Sequence, residues 1–131
     1  MKQFLDTNIL VYGFTQHDPR QTIALQLMAE GGVVSVQVLN EVANVLRKKR
    51  HWPWSDVLAA LETIRSGLDE VVPVSLEAHR IGLTLAQDHQ LSVYDAMIVA
   101  AALRSGCDVL FTEDLQHGRR FGALEILNPF A

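Results

Sequence analysis

The chain has 131 residues, 49% of them hydrophobic and 20% charged, with a formal charge of −4. This is the composition of one globular domain, spanning residues 1–131, that can bury a core without staples. It excludes a nucleic-acid binder that works by bulk positive charge, so any such role needs a local basic patch or bound cations. Cys107 is the only cysteine, so no disulfide can form within the chain, which suits a reducing cytoplasm. Asp6 interrupts the apolar run that a secretory leader needs. Ala96 to Leu103, the longest apolar run, is too short to span a bilayer.

Gln3 to Leu5 reads as a buried strand that ends at Asp6, with a short helix over Ile9 to Phe14. His17-Asp18-Pro19 predicts a helix start, with Asp18 as N-cap and Pro19 in the first helical position. That helix is expected to run to about Glu30 and stop at Gly31. Val33-Val34 is a short strand. Val36 to Lys49 is then a helix, with apolar residues at Val38, Leu39, Val42, Val45 and Leu46. Trp52-Pro53-Trp54 breaks it, and Ser55 to Arg65 forms another, closed by Gly67. Val71-Val72-Pro73-Val74 is a strand, which Pro73 confines to an edge or an end. Leu76 to His89 is a helix. Val93 to Arg104 is a helix apolar nearly all round, hence buried. Val109-Leu110-Phe111 and Leu124 to Leu127 are strands. Strands alternating with helices predict an α/β fold with a mostly parallel sheet.

In such a sheet, residues that follow strands collect at the carboxyl edge, where ligands bind. Asp6 and Asp114 both do so. The connecting helices start at that edge, which adds Asp95 in the first turn of one and Glu41 in the second turn of another. Four acids from distant positions are thus brought to one edge by topology. At an effective dielectric of ~20, two like charges ~6 Å apart repel by roughly 3 kcal/mol. Either some of the acids are protonated or a cation sits among them. Oxygen-only ligands suit Mg²⁺ or Mn²⁺. Such an ion can activate water and clamp a phosphodiester.

Phe4-Leu5-Asp6-Thr7-Asn8, Asn40-Glu41 in a helix, Val93-Tyr94-Asp95-Ala96 and Leu110-Phe111-Thr112-Glu113-Asp114 together resemble the PIN-domain ribonucleases. The likeness runs along the whole chain in order. The size resembles that of the VapC-type toxins of bacterial toxin–antitoxin pairs. The resemblance implies an α/β/α sandwich, an Mg²⁺- or Mn²⁺-dependent endoribonuclease, a homodimer, and inhibition by a small antitoxin protein. It implies that Asp6, Glu41, Asp95 and Asp114 are catalytic, with Asp6, Asp95 and Asp114 on the metal. Asn8 and Thr112 match the family's polar supports. One departure concerns the run after the strand, Thr112-Glu113-Asp114-Leu115, where the family often has a second Asp followed by Phe. It leaves open whether Asp114 or Glu113 faces the metal. Alternation along an extended strand, which sets Thr112 and Asp114 on one side, favours Asp114.

Each acid also has a plainer reading. Asp6 can cap the helix that follows. Ser92-Val93-Tyr94-Asp95 fits a capping box with Asp in place of Glu. Glu41 can be a rim residue, and Asp114 can start a turn. The basic run from Arg47 and Lys48 to Arg50 can grip RNA, with Trp52 or Trp54 stacking on a base. It can equally be the cationic end of a helix. Arg119 and Arg120, close to Asp114 in sequence, are candidates for holding a phosphate. The five histidines have no metal-ligand spacing. Two rival functions remain. One is a catalytically silent RNA- or protein-binding module. The other is an aspartyl-phosphate phosphatase with Asp6 as nucleophile, disfavoured because Asn8 stands where that chemistry wants a proton donor.

Overall fold

Gln3–Leu5 (β1) is buried at every position and lies between Val33–Ser35 (β2) and Val109–Phe111 (β4), parallel to both. The computed structural model describes residues 1–131. Glu70–Val72 (β3) adds to β2, and Leu124–Leu127 (β6) adds to β4, again in parallel. Arg120–Phe121 (β5) pairs antiparallel with β6. The sheet order is therefore β3-β2-β1-β4-β6-β5. Pro73 falls just past an edge strand, as its missing N–H requires.

Six helices join these strands: Thr7–Gly13 (α1), Gln21–Ala29 (α2), Val36–Asn44 (α3), Trp54–Gly67 (α4), Leu76–His89 (α5) and Val93–Arg104 (α6). From β1 the chain steps to β2 and then to β3, so right-handed crossovers place α1 to α4 on one face. It then returns past β1 to β4, which places α5 and α6 on the other. The order of travel reverses between β1 and β4. That is the switch point, where the crevice outside the strand ends is open.

The core explains this layering. Phe4, Leu5, Val33, Val34, Leu110 and Ile126 of the sheet are fully buried, as are Ile9, Leu10, Val38, Val42 and Ile64 or nearly so. Each such side chain contributes roughly 1.5–3 kcal/mol. Cys107 is buried and serves packing. Gln3 is a buried polar exception, and its amide donates to Leu27 O and Gly31 O, both at 2.8 Å. It thereby satisfies carbonyls at the end of α2. Gly32 has φ +121°, and a Cβ there would meet Gln3 O at 2.7 Å, so only glycine lets β2 approach β1 here.

Three elements differ from the sequence reading. The helix expected from Pro19 begins at Gln21. Asp18 instead accepts from the Arg20 backbone N–H at 2.8 Å, and Gln21 N donates to Asp18 O at 3.0 Å. An Asx turn thus comes before the helix. The helix that starts at Val36 widens into a π-helical turn over Val45–Lys49. β5 has no counterpart in the sequence reading, because two residues carry no periodicity. No helix is long and apolar enough to cross a membrane.

Candidate active site

Asp6 directly follows β1, and its backbone N–H continues the ladder by donating to Phe111 O at 3.1 Å. The side chain is 6% exposed. Its Oδ1 accepts from Thr7 N at 2.7 Å and its Oδ2 from Thr112 Oγ1 at 2.7 Å. Asp6 thus caps α1 with one oxygen and is tied to β4 with the other. Thr112 Oγ1 in turn accepts from Asp114 N at 3.1 Å, so one hydroxyl ties together the acids that follow β1 and β4.

Glu41 joins from the other side. Ser35 ends β2 and caps α3 through Val38 N at 3.2 Å. No loop intervenes, so the second turn of α3 stays near the sheet edge. Glu41 Oε2 accepts from Thr7 Oγ1 at 2.5 Å. Its Oε1 accepts from Gln37 Nε2 at 3.1 Å, and Gln37 Nε2 also reaches Tyr94 O at 3.3 Å. Tyr94 precedes Asp95. Ser92 caps α6 by accepting from Asp95 N at 3.2 Å. The Asp95 carboxylate makes no return bond, so the capping box is half closed and that carboxylate stays available.

A continuous hydrogen-bonded chain therefore runs from Tyr94 through Gln37, Glu41, Thr7, Asp6 and Thr112 to the Asp114 backbone. Thr7 and Gln37 do not stand out in the sequence as site residues. Gln37 has a signal, since it lies four residues before Glu41 on the same helix face. Thr7 lies in the motif around Asp6, but its contact with Glu41 depends on where α3 packs.

The acids feel one another's charge. Burial pushes the Asp6 carboxyl up to about 6, against the lowering effect of its bonds to Thr112 and Thr7, with Asp114 and Glu41 adding to the rise. Burial also raises the Asp114 carboxyl, and the charges of Asp95, Glu113 and Glu41 raise it further. Like charges gathered at one sheet edge make it attractive to a cation.

No group of three or more His, Cys, Asp or Glu side chains is arranged to ligate one ion directly. The donor set still fits a hard cation of the Mg²⁺ type, which keeps several waters and uses one or two carboxylates. Asp6 and Asp114, whose carboxyls the neighbouring acids help to raise, could supply them.

Glu113 points elsewhere. Its Oε1 accepts from Asn8 Nδ2 at 3.1 Å and from the Tyr12 hydroxyl. This favours Asp114 over Glu113 as the acid facing the crevice. It also commits the Asn8 nitrogen away from any proton transfer at Asp6.

The basic candidates divide. α3 starts at the acidic edge, so Arg47, in the π-helical turn that follows it, lies about 16 Å further along the helix axis. Its guanidinium donates to Trp52 O at 3.0 Å and lies 5.2 Å from the Trp54 ring centre. Lys48 is exposed in the same turn. Trp52 is half-buried and packs edge-on against Phe14, whereas Trp54 is 57% exposed. Arg119 lies over the Phe121 ring and reaches His89 O at 3.4 Å. Arg120 pairs with Glu125 at 3.5 Å, an exposed contact.

Residues 4–120 match the family model of the PIN domain. The chain belongs to the PIN-domain family. Among solved structures, its fold is similar to Mycobacterium tuberculosis VapC20, a sarcin–ricin loop cleaving toxin. That match has TM-score 0.72 and 21% identity, covering 86% of this chain and 92% of that one. A toxin–antitoxin complex from Klebsiella pneumoniae matches with TM-score 0.72 and 22% identity over 98% of both chains. FitAcB from Neisseria gonorrhoeae matches with TM-score 0.71 and 18% identity, again over 98% of both. At these identities the likeness concerns the fold. A comparison with curated protein sequences finds no match.

Proposed function

We propose that this PIN-domain protein is a divalent-cation-dependent endoribonuclease and the toxin of a toxin–antitoxin pair. The observation that carries the reading is the hydrogen-bonded chain that links Tyr94, next to Asp95, through Glu41 and Asp6 to the Asp114 backbone at the β1/β4 switch point. The similar folds of toxins and toxin–antitoxin complexes support the biological role.

In this reading, Asp6 and Asp114 hold Mg²⁺ or Mn²⁺, and Asp95 and Glu41 border the same crevice. When bound, the cation supplies an activated water and offsets phosphodiester charge. The protein's own part is positional. Thr112 holds the Asp6 carboxylate in one rotamer and fixes the Asp114 backbone. Thr7 and Gln37 hold Glu41 by both oxygens, leaving its remaining lone pairs to accept a proton or orient a water. Arg119 and Arg120 grip RNA phosphates near Asp114.

The antitoxin is expected to be a small protein with an apolar segment. A groove of about 300 Å³ beside α4 is lined by Phe14, Trp52, Ala59 and Ala60, with Asp56 and Thr63 as its polar members. Ile23, Leu25, Trp54 and Leu58 are exposed on α2 and α4 and are candidates for contact with such a partner. A homodimer in the cytoplasm belongs to the same proposal.

The test is cleavage of total RNA by the purified protein with Mg²⁺, with EDTA, and with Asp6→Asn. Cutting that needs both the ion and Asp6 is expected. RNA binding with no cutting in any condition would point instead to a silent binding module. A phosphoenzyme trapped on Asp6 would point to the phosphatase.

A further inference from the structure

Asn8 and Tyr12 lie one helical turn apart on the same face of α1, and Glu113 spans them with a single carboxylate oxygen. That carboxylate has its own support. Arg20 Nη1 lies 3.9 Å from Glu113 Oε2 and donates to the Tyr12 hydroxyl at 2.7 Å. The guanidinium sits 3.8 Å from the Tyr12 ring centre. Arg20 is itself clamped by Asp18, with Nε to Oδ1 at 2.9 Å and Nη2 to Oδ2 at 2.8 Å. A stacked, bidentate arginine of this kind is rigid. Phe130 closes the other side, edge-on to Tyr12 at 5.3 Å.

The network decides how the Asn8 amide faces. A carboxylate only accepts hydrogen bonds, so the Asn8 group beside Glu113 must be the NH₂. The amide is planar, so Oδ1 is turned the other way; no group of the chain donates to it, and it is open to solvent. We infer that Glu113 is a positioning residue: with Tyr12, Arg20 and Asp18 behind it, it holds Asn8 so that Oδ1 is a fixed acceptor beside the acids. An amide oxygen is well suited to that place. It can accept a hydrogen bond from a water or a ribose hydroxyl without adding negative charge to a crevice that must admit a phosphodiester. Glu113, next to Asp114 in sequence, spends its charge on Arg20 and Tyr12 and does not serve as a further metal acid.

The inference rests on the ribonuclease reading, and the experiment separates the two. Glu113→Ala and Glu113→Gln both remove the charge next to Asp114. Only Gln restores an acceptor oxygen to Asn8 and Tyr12, so the pair isolates hydrogen bonding from charge. With Mg²⁺ and RNA, Glu113→Ala should lose about tenfold to a hundredfold in kcat with KM little changed, the scale expected for a misplaced group. Glu113→Gln should recover most of that loss. The Asn8 side-chain NH₂ resonances should shift in Glu113→Ala and hold near their wild-type positions in Glu113→Gln. Full kcat in Glu113→Ala, or an equal loss in Glu113→Gln, overturns the inference. If the wild type cuts no RNA, the ribonuclease reading fails, and the NMR arm still decides whether Glu113 orients Asn8. Unshifted Asn8 signals in Glu113→Ala overturn it there.

Discussion

Thr112 Oγ1 donates to Asp6 Oδ2 at 2.7 Å and joins residues 106 positions apart. Both side chains are buried. The bond lowers the Asp6 carboxyl, which burial otherwise holds up at about 6. Removing the hydroxyl therefore makes Asp6 harder to ionise. If the reaction needs Asp6 ionised, the acid limb of the pH–rate profile should move to higher pH in Thr112→Val. Thr112→Ser keeps the donor and should keep the limb. The Val variant should also lose about 1–3 kcal/mol of stability, since a buried carboxylate oxygen is left unpaired. An unmoved limb in Thr112→Val would mean that the hydroxyl does not tune Asp6.

Asp6 should work against the stability of the metal-free protein. Its folded value of about 6 lies above its ordinary 3.8. Below about pH 4 the group is protonated in both states and contributes nothing. As pH rises toward 6, the unfolded chain releases the proton while the folded one keeps it, so stability falls over that window. Above it, the full cost stays in place, roughly 3 kcal/mol. Asp6→Asn should therefore melt several degrees higher than wild type in EDTA at pH 7.5. The Thr112 hydroxyl can turn to accept from the new amide if the amide's nitrogen faces it. The advantage should vanish near pH 4. Paired melting curves across pH check this, and a variant that melts lower at pH 7.5 refutes it.

Much of this architecture was legible in the sequence because buried parallel strands announce themselves. Phe4-Leu5, Val33-Val34 and Val109-Leu110-Phe111 are short apolar runs flanked by polar breaks, and alternation with helices then fixes the sheet edge. That edge locates Asp6 and Asp114 without coordinates. Asp95 and Glu41 follow from which way the connecting helices run. The hidden parts are those set by tertiary packing. Thr7 reaches Glu41 only because α3 lies over α1. Glu113 faces α1 only because Arg20 folds back over Tyr12. The Asp18 turn looked like a helix cap because both begin with the same side-chain-to-backbone bond.

If Asp6 and Asp114 hold a divalent ion, saturating Mg²⁺ or Mn²⁺ should reverse the cost of clustering the acids. An ion present at about a hundred times its dissociation constant stabilises by roughly 2.7 kcal/mol. The wild type should gain several degrees in Tm over EDTA. Asp6→Asn should gain much less, since it loses one ligand and with it much of the charge that favours the ion. Equal gains in both proteins would move the cation away from Asp6.

Arg119 and Arg120 can be separated from mere surface charge by salt dependence. On single-stranded RNA, each arginine that no longer neutralises a phosphate should reduce the slope of log affinity against log salt by about 0.7. The double substitution Arg119→Ala with Arg120→Ala should therefore flatten the slope by about 1.4 if both touch phosphates. It should raise KM more than it lowers kcat. Arg47→Ala, at the far end of α3, is the control and should leave KM little changed. The Arg119 bond to His89 O and the Arg120 pair with Glu125 are largely exposed, so RNA can displace them at little cost. A double variant with an unchanged slope would show that neither arginine touches the substrate.

Gly32 tests whether the site depends on the register of its strands. A Cβ there would meet the Gln3 carbonyl oxygen at 2.7 Å, and φ is +121°. Backbone cannot move aside as a flexible side chain can, so Gly32→Ala should cost about 3 kcal/mol or more through strain and weakened pairing. Gly82 gives the contrast. Its Cβ would meet Met97 Sδ at 2.5 Å, and a methionine can change rotamer. Gly82→Ala should thus be the milder change, partly offset by the higher helix propensity of Ala. Chemical denaturation ranks the two. Gly82→Ala proving the more damaging would mean that the β1–β2 contact yields more readily than the packing of α5 on α6.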